Sequence, residues 1–162
     1  MEIYILRHSD AEDIGRKRDA DRSLTERGIK KMKKIARALK DMELTFDAIL
    51  TSPYNRAKET AEIVGEVFEC TSQIRMTPNL VSDANPSMLV KEINGDYAKK
   101  KKILLVGHEP FLSEFISVLI SGRRDVSIKL RKGGVCKMTA EPLHFGRCAT
   151  LEWLMGSAQF PD

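Results

Sequence analysis

The sequence predicts an α/β layered fold on a mainly parallel sheet. Three observations carry this: short runs of β-formers alternate with amphipathic helical stretches, the strongest strand is a continuous apolar run, and the tail holds two stretches of period-two alternation. Glu2–Leu6 opens with Ile3, Tyr4, Ile5 and Leu6 and reads as a strand. Glu26–Met42 reads as a helix with Ile29, Met32, Ile35, Ala36 and Leu39 on one face. Thr25 suits its N-cap, and Ser23-Leu24-Thr25-Glu26 also has capping-box spacing. Asp47–Thr51 is a short buried strand, after which Pro53 is expected to open a second helix with Ala57, Ala61, Val64 and Phe68 inward. Ile103–Val106 is the most continuous apolar strand. A third helix should run from Pro110 to about Ser121, bearing Leu112, Phe115, Ile116, Leu119 and Ile120, and Gly122 ends it. Gly134–Thr139 and Ala149–Met155 alternate as an antiparallel hairpin.

Composition bounds the function. With 162 residues, 42% apolar and 31% charged, the chain can bury a core and is neither disordered nor membrane-spanning; one domain over 1–162 is the simplest division. The uncharged stretch Phe115–Gly122 is too short to cross a bilayer. Met1–Leu6 meets Arg7-His8 before any apolar leader core develops, so a cytoplasmic protein is expected. Net charge is +4, from 27 Lys+Arg against 23 Asp+Glu. That mild excess suits an anionic substrate and gives no reason to expect nucleic acid or membrane as partner. Lys99–Lys102 reads as a solvated turn before a strand. Arg123-Arg124 with Lys129, Arg131 and Lys132 reads as a solvated basic face able to steer an acidic partner. Cys70, Cys136 and Cys148 are odd in number and form no C-x-x-C pair, so they read as free thiols. His144 reads as a turn residue, and Trp153 with Leu151 and Leu154 as core.

In a parallel α/β sheet, ligands bind beyond the carboxyl ends of the strands. The residues at those ends are Arg7-His8-Ser9, Ser52-Pro53 with Arg56 one turn on, and Gly107-His108-Glu109. Two histidines and two arginines therefore converge on one sheet edge, without a carboxylate pair or cysteine. Arginines beside a cation would be unfavourable, so no metal or other cofactor is expected. Guanidinium forks match phosphoryl oxygens, and helix N-termini add partial positive charge. A neutral histidine in line with phosphorus can attack it.

These residues resemble a known family. Leu6-Arg7-His8-Ser9-Asp10-Ala11 resembles the R-H-G signature of the histidine phosphatase superfamily, the phosphoglycerate-mutase-like fold. Leu24-Thr25-Glu26-Arg27-Gly28 is similar to its L-T-x-x-G segment, Ser52 through Ala61 to its S-x-x-x-R-A-x-x-T-A motif, and Val106-Gly107-His108-Glu109-Pro110 to its second histidine motif. The order is right and most of the chain is spanned. The short length and the R-H-S-D-A-E opening look most like the SixA-type phosphohistidine phosphatases. The resemblance implies a three-layer α/β/α sandwich. It implies His8 as nucleophile and Arg7, Arg56 and His108 as phosphoryl ligands acting in catalysis and binding. Ser9 stands where the family usually has Gly, and its hydroxyl is a candidate phosphate contact. No residue matches the family's general acid: Asp83 is a candidate substitute, with Asp10 and Glu12 as others.

The missing acid bears on the substrate. A sugar alkoxide needs a positioned acid to leave, whereas the imidazole of phosphohistidine takes its proton from water beforehand. A metal-independent phosphatase acting on phosphohistidine in a protein is therefore expected. The alternatives are a phosphatase of a small phosphate ester, such as a sugar or nucleotide-derived metabolite, and a non-catalytic phosphate-binding module.

Overall fold

The structure, a computed structural model, describes residues 1–161. Ten principal elements follow in chain order: β1 (Glu2–Arg7), α1 (Glu26–Asp41), β2 (Ala48–Thr51), α2 (Asn55–Val67), β3 (Ile74–Met76), α3 (Pro86–Asp96), β4 (Lys102–Gly107), α4 (Phe111–Ser121), β5 (Val135–Ala140) and β6 (Ala149–Met155). The six strands form one sheet in the order β3-β2-β4-β1-β5-β6. β3, β2, β4 and β1 run parallel, while β5 lies antiparallel to β1 and β6 antiparallel to β5.

Strand alternation divides the core between the two faces of the sheet. Ile3, Ile5, Leu50, Ile103 and Leu105 pack with Leu89, Ile93, Phe111 and Phe115 of α3 and α4. Tyr4, Leu6, Ile49, Leu104 and Val106 pack with Met32, Ile35, Ala57, Ala61 and Val64 of α1 and α2. The result is the expected α/β/α layering. The parallel strands β1, β2 and β4 are apolar almost throughout because both of their faces are covered.

Several boundaries differ from the sequence expectation. Thr25 caps α1 as expected, its hydroxyl accepting the Gly28 N–H at 3.0 Å, but the capping-box alternative at Ser23 does not form: the Ser23 N–H donates to Glu12 Oε2 at 3.2 Å. Pro53 lies outside α2, because Ser52 Oγ accepts the Tyr54 N–H at 3.2 Å and leaves Tyr54, in extended conformation, as N-cap. β3 and α3 were not anticipated. β3 has three residues at the sheet edge, and α3 opens on Asn85-Pro86, with the Asn85 side chain accepting the Ser87 N–H. Leu151 is 39% exposed rather than core, since a register shift opposite Lys137 and Met138 breaks the alternation of the edge strand β6. Trp153 and Leu154 do pack against the core, and His144 is exposed. The Lys99–Lys102 run is the expected turn into β4. All three cysteines are free thiols. Among the described residues, no helix is long and apolar enough to cross a membrane.

Candidate active site

The carboxyl ends of β1, β2 and β4 bring the expected residues together. β1 and β4 pair in register up to Arg7↔Gly107, so His8 and His108 are the next residues of two adjacent parallel strands. Strand spacing is about 4.8 Å, and their ring centroids lie 5.0 Å apart. The His8 N–H donates to the Gly107 carbonyl at 3.2 Å and extends the ladder by one bond. Gly107 has to be glycine here, since a Cβ would stand 2.9 Å from the Leu80 carbonyl oxygen of the neighbouring turn.

His8 is buried. Its Nδ1 lies 2.7 Å from the Ser9 carbonyl, which can only accept, so Nδ1 carries the ring proton. Nε2 then presents its lone pair, and Arg56 Nε–H donates to it at 3.3 Å. Burial pushes the His8 pKa down to about 4, with the positive charges of Arg56, Arg7 and Lys132 adding to it against the Ser9 hydrogen bond. His8 is neutral at pH 7.

His108 is equally buried. Its Nε2 lies 2.8 Å from Ser52 Oγ, and its ring stands 5.3 Å from that of Tyr54. Burial lowers its pKa to about 3, helped by His8, Arg56 and Arg7 and opposed by Asp19. Ser52 Oγ accepts the Tyr54 N–H and has its own proton to give; when that proton points at His108 Nε2, the imidazole proton sits on Nδ1.

The two arginines are held differently. Arg7 donates from Nη1 to the Leu130 carbonyl at 3.0 Å. Arg56, on the first turn of α2, is clasped by Asp19 of the short turn Asp19–Asp21: Nη1 donates to its carbonyl at 2.7 Å and Nη2 to Oδ2 at 3.0 Å. Burial opposes ionisation of Asp19, but hydrogen bonds from Arg22 and Arg56 outweigh it and hold the carboxyl below its ordinary value. Four buried side-chain polar atoms have no hydrogen-bond partner among the described residues: Arg7 Nε, Ser9 Oγ and His108 Nδ1 on the strand-end residues, and Asp10 Oδ2, which faces α1. Buried donors left this way cost about 1–3 kcal/mol each, so the site is built at the expense of stability and suited to an anion.

The acid candidates sit elsewhere. Asp10 turns to α1, where its Oδ2 lies 3.6 Å from Lys31 Nζ and 3.9 Å from Arg27 Nε, and its carbonyl takes the Thr25 N–H. The α1 glycine is required by this approach, as a Cβ on Gly28 would fall 2.1 Å from the Asp10 carbonyl oxygen. Glu12 pairs with Lys17 at 2.6 Å. Asp83 is exposed, follows the turn Pro78–Leu80, and makes no hydrogen bond or ion pair among the described residues. No carboxylate there bonds to either imidazole.

Sequence reasoning missed Asp19, the Ser52–His108 link and the Leu130 carbonyl. Glu109, which the sequence motif leaves without a role, accepts the Ser113 N–H at 3.0 Å and the Ser113 hydroxyl on the first turn of α4, and its charge acts on Arg7. An acidic residue in the loop before Arg22-Ser23-Leu24-Thr25 was the one available hint.

Known proteins resemble this chain over most of its length. The family model of the histidine phosphatase superfamily (branch 1) matches residues 3–81, which hold Arg7, His8 and Arg56. The chain belongs to the histidine phosphatase superfamily. As a superfamily hydrolase it is 32% identical over 141 residues to an uncharacterized protein of Picosynechococcus sp., covering 83% of this chain and 82% of that one. It is 25% identical over 123 residues to the phosphohistidine phosphatase SixA of Escherichia coli, covering 75% and 76% of the two. The structure of the protein histidine phosphatase SixA complexed with tungstate superposes with a TM-score of 0.85 at 22% identity, over 99% of this chain and 100% of that one. The superfamily fold is thus shared across nearly the whole chain.

Proposed function

We propose that the protein is a phosphohistidine phosphatase and that His8 is its nucleophile. The observation that carries this reading is the state of His8: a neutral imidazole, its Nδ1 proton held by the Ser9 carbonyl and its Nε2 lone pair turned to the Arg56 guanidinium. Nε2 attacks phosphorus. A P–N bond to His8 forms as the P–N bond to the substrate imidazole breaks, and that imidazole leaves with a proton already taken from water. Water then attacks the His8-bound phosphorus, releases inorganic phosphate and returns the proton balance to solvent.

Arg7 Nε, Ser9 Oγ, His108 Nδ1 and the remaining Arg56 N–H groups supply donors for the phosphoryl oxygens, whose charge the transition state spreads. Neutral His108 donates only if Ser52 gives its proton to Nε2, which makes Ser52 the orienting partner. These donors do the work a metal would otherwise do, so turnover should persist in a chelator. Among the described residues no carboxylate bonds to either imidazole, which supports a leaving group that needs no enzymic acid.

The test is a brief incubation with ³²P-labelled phosphohistidine peptide, followed by denaturation. Wild type should retain label in an acid-labile, alkali-stable linkage, and His8→Ala should retain none. Full label on His8→Ala would overturn the nucleophile. Faster turnover of sugar phosphates than of phosphohistidine would overturn the substrate.

A further inference from the structure

The cations around the site exceed what a phosphoryl group can use. Leu130, whose carbonyl holds Arg7, is flanked by Lys129, Arg131 and Lys132. All three are exposed, and none makes an ion pair among the described residues. Lys132 is near enough to His8 to depress its pKa. Gly133 follows, with its N–H donating to the Arg7 and His8 carbonyls at 3.0 and 3.2 Å.

Gly133, itself buried, packs this loop against α1 and brings its cations beside those of the helix. A Cβ at Gly133 would stand 3.4 Å from Lys31 Cε and 3.6 Å from Ser157 Cβ; one at Gly156 would stand 3.9 Å from Arg131 Cδ. There Arg27, Lys30, Lys31, Lys34 and Ser157 line a shallow concavity. Seven of the sixteen residues of α1 are Lys or Arg, against two acidic ones. The nearby carboxylates, Glu26 and Asp10, reach only Lys30 at 3.3 Å and Arg27 and Lys31 at 3.9 and 3.6 Å.

We infer that this tract, from Lys132 and Arg131 to the α1 concavity, docks an acidic protein surface bordering the phosphorylated residue. The inference rests on the phosphohistidine reading for what is turned over, but the surface itself is independent of it. Charge complementarity identifies the occupant. The concavity has no aromatic side chain on which bases would stack, and its two apolar lining residues, the buried Ile35 and the small Ala158, offer no large side chain to a lipid layer. An acidic partner would be steered to the site, and the gain should fade as salt screens it.

Two histidine-containing peptides of equal length test this, one flanked by glutamates and one by lysines, each with a fluorophore. By anisotropy at low salt, wild type should bind the glutamate peptide about tenfold or more tighter than the lysine peptide. Lys30→Glu with Arg131→Glu should abolish the preference, the milder Lys30→Gln with Arg131→Gln should reduce it, and 0.5 M salt should do the same. In phosphorylated form, the glutamate peptide should show the higher kcat/KM in wild type and lose that advantage in the variants, relative to p-nitrophenyl phosphate, which is too small to reach the tract. An unchanged peptide preference in both variants would overturn the inference, as would tighter charge-dependent binding to phosphatidylglycerol vesicles or single-stranded DNA. If the peptides bind as expected but are not dephosphorylated, the docking surface stands and the phosphohistidine reading falls.

Discussion

Arg56 donates its Nε–H to His8 Nε2 across 3.3 Å, so a buried cation faces the lone pair of a buried neutral imidazole. The contact has two effects. It keeps a proton off Nε2, since a protonated ring would set two donors and two positive charges against each other. It also places a guanidinium where a phosphorus approaching that lone pair would bring its oxygens.

The first prediction concerns acid. His8 and His108 have folded-state pKa values of about 4 and about 3, below the ordinary 6.5 of an exposed histidine. From about pH 6.5 down to about 4 for His8, and to about 3 for His108, the unfolded chain therefore binds protons that the folded chain does not. Their contribution is fully present above 6.5 and is lost as pH falls through this window. Urea midpoints should drop across it, and His8→Asn or His108→Asn should flatten the slope by up to one proton each. An identical slope in both variants would contradict the assignment.

Asp19 should matter without touching substrate. Asp19→Asn keeps its size but removes the charge that clasps Arg56. We expect kcat to fall about tenfold to a hundredfold, short of the 10²–10³ typical of losing an oxyanion donor itself. The His8 imidazole resonances should shift with it, because Arg56 Nε is their neighbour. A change in stability alone, with kcat and those resonances intact, would leave Asp19 no positioning role.

Much of the site was legible because local rules determine it. β1, β4 and α4 announce themselves by apolar runs, and the strand-end rule gathered His8, Arg56 and His108 from stretches about fifty residues apart. α1 was placed nearly to the residue by its period and by Thr25. What escaped depends on tertiary meetings: Asp19 bonds a residue 37 positions away and Ser52 one 56 away, neither at a periodic spacing. β3 escaped because three residues cannot show an alternation, and Leu151 because a bulge resets it.

Ser9 separates stability from affinity. Its hydroxyl is fully buried and unpartnered among the described residues. Ser9→Ala should raise stability by about 1–3 kcal/mol, the usual cost of such a group. The same change should weaken vanadate inhibition by about tenfold or more, through loss of one donor to a charged oxygen. Vanadate affinity unchanged in a more stable variant would remove Ser9 from the phosphoryl site.

The last prediction concerns the leaving group. Asp83→Asn should barely alter phosphohistidine turnover, since Asp83 is exposed and contacts neither imidazole. For phosphate esters, log rate should fall steeply with leaving-group basicity. A flat dependence together with a large Asp83→Asn loss would reveal a working acid and favour a small-ester phosphatase.

The register of β1 against β4 carries a consequence for how this chain can vary. The two imidazoles stand one step beyond a paired Arg7 and Gly107. Inserting or deleting one residue in either strand would turn its histidine to the opposite face and move it about 3.3 Å along the ladder. No rotamer change restores that. Length differences between working versions of this protein should therefore fall in the connections, such as 123–134 and the turn between β5 and β6, while the two strands keep a common count.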